Sequence, residues 1–123
     1  MLQLARRLKE CNFQVCLLLW ENPKGVIAEM IHDFSWKFLN QTQLNREDVY
    51  IVPEGWVNAL SPGLKQKTRC LVYCQNWAFL FHGLPQNICW RDLDVDFLAV
   101  SQPVAVFLKN VLDKNPQVIR PAI

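Results

Sequence analysis

The chain has 123 residues, 51% of them hydrophobic and 20% charged, with 13 basic and 11 acidic side chains for a net charge of +2. That composition excludes an intrinsically disordered chain, and the length leaves room for one domain and little more. With so small a net charge, and no basic cluster beyond Arg6, Arg7 and Lys9, a nucleic-acid footprint is not supported.

Leu2, Ala5 and Leu8, with Leu4 beside them, recur at helical spacing opposite Arg6, Lys9 and Glu10. The first element is therefore an amphipathic helix whose basic residues form its solvated face. Asn12 can stop it, because asparagine tolerates the left-handed conformation at a helix end. From Phe13 to Trp20 the chain is almost continuously apolar over a strand's length. Strands apolar on both faces belong to parallel sheets covered by helices. The run is too short for a signal peptide or a membrane span, and Glu21-Asn22-Pro23-Lys24 ends it without a small-residue cleavage site. Val26, Ile27, Met30, Ile31 and Phe34 then fit a helical stripe that Trp36, Phe38 and Leu39 prolong, so a helix is predicted from about Gly25 to Asn40.

Val49-Tyr50-Ile51-Val52 is a second buried strand ended by Pro53. Gly55 to Leu60 has room for one helical turn or two, closed by the turn signal Ser61-Pro62-Gly63. Cys70 to Cys74 is the third strand, and residues 76–87 form a long loop carrying Trp77, Phe79 and Phe81. A fourth strand, Val95 to Val100, ends at Ser101, which is placed to cap the following helix, with Pro103 in its first turn. Val104, Phe107, Leu108 and Val111 give that helix its stripe, Asn115-Pro116 ends it, and Val118-Ile119 is a short last strand.

Alternation of this kind means crossover units and a mostly parallel sheet. The expected fold is α/β, a Rossmann-like three-layer sandwich in one domain, 1–123. Its strands lie near 13–20, 48–53, 69–75, 95–100 and 117–120. A Rossmann unit begins with a strand, whereas this chain begins with a helix. A first strand encoded upstream, or lost, is the expectation. The runs at 13–20 and 48–53 should then close up or admit a strand from another chain.

Five cysteines, Cys11, Cys16, Cys70, Cys74 and Cys89, include no C-x-x-C pair, so no metal site is expected. Cys16, Cys70 and Cys74 lie in apolar runs and should act as small hydrophobes, reduced in a cytoplasmic setting. His32 sits beside the apolar stripe, where it packs or points to solvent. His82 precedes Gly83 in the aromatic loop, and neither histidine has a sequence-evident nucleophile partner. Asp92 and Asp94 are an ordinary exposed pair, and no glycine-rich phosphate loop is present.

Four segments, in order, resemble the N-terminal, acceptor-side domain of GT-B glycosyltransferases, and Val52-Pro53-Glu54-Gly55-Trp56 with Gln75-Asn76-Trp77-Ala78 is similar to a bacterial, group-1-like subgroup of them. Leu4 to Glu10 followed by Val15 to Leu19 is similar to the family's leader helix and second strand, although Cys11-Asn12-Phe13 replaces the usual glycine-histidine turn. Asp48 to Glu54 looks like the strand that brings a polar residue to the cleft. Arg69 to Asn76 resembles the next strand, with Gln75 where a histidine is common. Val95 to Ile123 resembles the domain's close, with Pro121-Ala122 in place of proline-asparagine-glycine. The resemblance implies that this chain binds a carbohydrate or glycan acceptor. A nucleotide-sugar would be met only through a C-terminal donor domain, whose paired glutamates and phosphate-facing helix are absent here. It implies no cofactor and no turnover by this chain alone.

Ligands of open parallel sheets bind beyond the carboxyl ends of the strands. That rule selects Glu54, which would accept a bond from an acceptor hydroxyl or act as a base, against the alternative of a solvated loop acid. Gln75 and Asn76 have amides suited to sugar hydroxyls, against local turn bonding by Asn76. Trp77 and Trp56 would stack on a sugar ring or anchor the loop to the core. Ser101 is a helix cap that also lies where an anion would sit. No catalytic residue is nominated. The competing function is a non-catalytic α/β interaction module, completed by a partner or by a homo-oligomer, because an uncovered sheet exposes backbone groups and apolar surface.

Overall fold

A computed structural model describes residues 2–81 and 84–119. The fold is α/β of the Rossmann-like class, and every strand pair among the described residues is parallel. The chain forms two compact units, Met1–Gln43 and Leu44–Ile123.

The first unit contains α1 (Leu2–Glu10), β1 (Cys16–Leu19), α2 (Val26–Met30) and β2 (Ser35–Phe38). In α1, Leu2, Leu4, Ala5 and Leu8 are half-buried and the charged residues exposed, as the spacing predicts. Asn12 takes the left-handed conformation at φ 68, and the Phe13 N–H donates to Leu8 O while the Asn12 N–H donates to Lys9 O. These paired bonds are the Schellman closure that satisfies the last carbonyls of a helix. Arg6 and Lys9 both reach Asp33 and lie over the buried ring of Phe34, at 5.1 and 4.9 Å from its centroid.

The helix predicted over Gly25–Asn40 is corrected. Helical turns stop at Met30, and residues 35–38 form β2, which pairs with β1 from Cys16↔Ser35 to Leu19↔Phe38. Trp36 and Phe38 stand two residues apart, the period of one strand face, and their rings meet edge to face at 5.2 Å. Of the expected stripe and its prolongation only Ile31, Phe34 and Leu39 are buried, while Val26 is 70% and Ile27 59% exposed. The run at 13–20 thus finds its neighbour in residues read as helix. Cys16, expected as a small core hydrophobe, is exposed.

The second unit is a four-stranded sheet in the order β3-β4-β5-β6, made of Val49–Pro53, Arg69–Cys74, Val95–Ala99 and Gln117–Val118. The central strands β4 and β5 bury consecutive residues at their carboxyl halves (Val72, Tyr73, Cys74 and Phe97, Leu98, Ala99), as two-sided burial of parallel strands requires. β3 alternates, burying Tyr50 and Val52. Ser61-Pro62-Gly63 does not close a turn but opens α3 (Ser61–Lys65), because proline fits the first helical turn at no cost in hydrogen bonds. Gly63 is required there: a Cβ on it would stand 2.7 Å from both Cys70 Sγ and the Tyr50 ring.

α4 (Gln102–Leu112) buries Val104, Ala105, Leu108 and Leu112. Its buried stripe is therefore rotated from the expected one, leaving Val111 43% exposed and Phe107 half-buried. Asp113, left-handed at φ 54, ends the helix, and Lys114 Nζ donates to the carbonyls of Leu93 and Val95. Among the described residues no helix is long and apolar enough to cross a membrane. His82 and the Pro121-Ala122 turn lie outside the described residues.

Candidate functional site

Parallel pairing fixes which residues meet at the carboxyl edge of the sheet. Pro53 stands opposite Tyr73 in the β3–β4 ladder, so the residues leaving β3 and β4 emerge side by side. Glu54 is the first residue beyond β3 and is only 6% exposed. Its Oε1 accepts the backbone N–H of Asn76 at 3.0 Å. The solvated-acid alternative is thereby excluded. With its carboxylate buried and one oxygen engaged, Glu54 braces the exit of β4.

Asn76 then organises the next turn. Its Oδ1 accepts the Ala78 N–H at 2.9 Å and starts the 3-10 turn Trp77–Phe79. This is the local turn bonding that asparagine favours. It uses the oxygen of the amide, and the nitrogen keeps its capacity to donate. Gln75, beside it, is exposed. The loops leaving β3 and β4 pack closely, since a Cβ on Gly55 would lie 4.0 Å from that of Phe79.

Trp77 is 41% exposed, and its indole stacks on the ring of Phe107 from α4 with centroids 5.3 Å apart and planes 15° from parallel. The aromatic that anchors the long loop to the core is another one. Trp90 is 2% exposed, donates from Nε1 to Leu80 O at 2.8 Å and meets Phe97 edge to face. Trp56 is 51% exposed, its backbone closing the turn after β3 through a bond to Pro53 O. Ser101 takes the N-cap position of α4 with an extended backbone, but its hydroxyl makes no capping bond; the expected side-chain cap is corrected. The helix start is set instead by the Ala105 N–H donating to Ser101 O.

The structure thus brings Glu54, Gln75, Asn76 and Trp77 to one edge. Phe107 was missed because its spacing fits a core stripe equally well, and only its half-buried state separates it from Leu108. Trp90 was missed because no periodicity marks a lone aromatic in a loop.

The edge offers no activated thiol. Burial, with the Glu54 carboxylate adding to it, pushes the Cys74 thiol up to about 12, so the sulfur stays protonated at neutral pH. Tyr50 is likewise pushed up to about 12, by burial first and Cys70 second, and its hydroxyl donates to Ala59 O at 2.6 Å. Both act as packing groups. What remains chemically is a pair of side-chain amides beside an exposed indole, on a loop held by a buried carboxylate. Such groups are chemically able to hydrogen-bond hydroxyls and to lie against apolar ring faces. Among the described residues no group of three or more histidine, cysteine or acidic side chains is placed to hold a metal ion. No known protein family, curated protein or solved structure matches this chain.

Proposed function

We propose that this chain is the acceptor-binding half of a glycosyltransferase, which would transfer a sugar from a nucleotide-sugar held by a separate donor domain. The observation supporting it most is the joining of Glu54 to Asn76 across the carboxyl ends of β3 and β4. That bond fixes the exit of β4, and Gln75, Asn76 and Trp77 follow it at the carboxyl edge, where ligands of open parallel sheets bind. In this reading Glu54 is a positioning residue, and the amides and indole are the contacts to a hydroxyl-rich acceptor. The chain binds acceptor but does not turn over donor by itself, since the donor-side glutamates of the resembling family have no counterpart in it.

Calorimetric titration tests this. Neutral and charged oligosaccharides are the acceptor probes, and uridine and guanosine diphosphate sugars the donor probes. Binding of an oligosaccharide and none of the nucleotide-sugars is expected. Tight nucleotide-sugar binding by this chain alone would overturn the assignment.

A second reading, a non-catalytic interaction module, draws on the first unit, where Phe13 is 63%, Val26 70% and Ile27 59% exposed. Exposed apolar side chains so close in sequence favour a covering partner or self-association. Light scattering separates the two readings. A monomer at all concentrations that still binds oligosaccharide removes the second.

A further inference from the structure

One exposed aromatic at this edge, Trp77, already has an aromatic partner against it. Phe107 lies near-parallel to the Trp77 indole with ring centroids 5.3 Å apart, and Trp77 is still 41% exposed, which leaves ring surface for a ligand. The backing is anchored to the core. Phe107 sits on α4 between Val104 and Leu108, which are 5% and 0% exposed, and the loop carrying Trp77 is held at Asn76 by Glu54. A ring fixed before binding spares the ligand the cost of ordering it.

Charge narrows the ligand further. The segments leaving β3, β4 and β5 (54–60, 75–81 and 100–103) contain no lysine or arginine, and their only ionisable side chain is Glu54. An anion bound there would find no cation in these segments and would face a carboxylate of its own sign. A neutral pyranose suits both features. Its C–H face is apolar and lies flat on an indole, while its rim of hydroxyls meets the amides of Gln75 and Asn76.

Resting on the acceptor-binding reading, we propose that Trp77, backed by Phe107, is a stacking platform for a neutral pyranose ring. The same edge discriminates against anionic saccharides.

The test is an NMR titration of the full chain, following the Trp77 indole N–H identified by its loss in Trp77→Phe. Probes are neutral trisaccharides of glucose, galactose and mannose, with trigalacturonate as the charged counterpart and UDP-glucose as the donor control. At least one neutral trisaccharide is expected to shift the Trp77 indole. It should bind about tenfold more weakly to Trp77→Ala, as loss of an aromatic contact implies. Trp77→Tyr should restore binding to within about threefold, since the aromatic face is kept. Phe107→Leu should fall between, and trigalacturonate should bind at least about tenfold more weakly than the neutral probe. Unchanged trisaccharide affinity in Trp77→Ala, or equal binding of trigalacturonate, overturns the platform while leaving acceptor binding intact. Tight UDP-glucose binding removes the acceptor-half assignment instead, and no response to any saccharide removes both.

Discussion

Glu54→Ala deletes a carboxylate that is 6% exposed and holds the Asn76 N–H at 3.0 Å. A hydrogen bond to a charged acceptor contributes about 1.5–3 kcal/mol, and the lost buried methylene adds about 0.8 kcal/mol. Asn76 is exposed as a residue while this bond is part-buried, so nearby water offsets part of the cost of releasing its N–H. Removal of a buried charge works in the opposite direction, because that carboxylate was partly stripped of water. The net expectation is a loss of about 1–3 kcal/mol, read as a lower urea midpoint at unchanged slope. Glu54→Gln keeps the shape and one acceptor oxygen and should cost about half as much. The local signature matters more than the total: hydrogen exchange at the Asn76 amide should accelerate in Glu54→Ala, while amides in the middle of β4 keep their protection. A variant as stable as the parent, with Asn76 exchange unchanged, would refute the brace.

Gly63→Ala should destabilise by about 1–3 kcal/mol despite alanine's better helix propensity. The new Cβ would stand 2.7 Å from Cys70 Sγ and from a Tyr50 ring tethered to Ala59, and a parent-like urea midpoint would show that the pocket relaxes. With Cys70 and Cys74 buried and Cys11, Cys16 and Cys89 exposed, the native chain should show three fast thiols toward a chromogenic disulfide reagent at mildly alkaline pH. Unfolding should release the remaining two, and a fourth fast thiol in the native chain contradicts the assigned burial. Alkaline stability follows from Tyr50 and Cys74, both raised to about 12 from ordinary values of 10.0 and 9.0. A raised acid pKa favours the folded chain fully below the unfolded value and loses that contribution as pH climbs through the folded one. The urea midpoint should therefore fall between about pH 9 and 12, less steeply in Cys74→Ala, and an identical fall in parent and variant would exclude Cys74 as a cause.

Most of the secondary structure could be read without coordinates because its signals are local. Continuous apolar runs at Tyr50, Val72 and Phe97 mark strands buried in a parallel sheet, and Asn12 marks a helix end by its own backbone tolerance. The misreading of residues 35–38 came from the same kind of signal. Trp36, Phe38 and Leu39 extend a helical stripe on paper, yet the i, i+2 pair Trp36–Phe38 also fits a strand, and pairing with β1 decided between them. Ser101 shows a second limit: residue type and position nominated its hydroxyl as a cap, but the backbone alone performs that role.

The sequence by itself determined that this is an α/β chain with parallel strands, and which residues leave those strands at their carboxyl ends. Spacing and side-chain type act on the nearest few residues, so they are written where they act. Only the tertiary structure decided that Glu54 is buried against Asn76, that Trp77 lies on Phe107 and that Trp90 fills the core. Those partners belong to different elements, and the register Pro53↔Tyr73 and the rotation of α4 bring them together. Register and rotation are settled by packing of the whole unit, which no local pattern encodes.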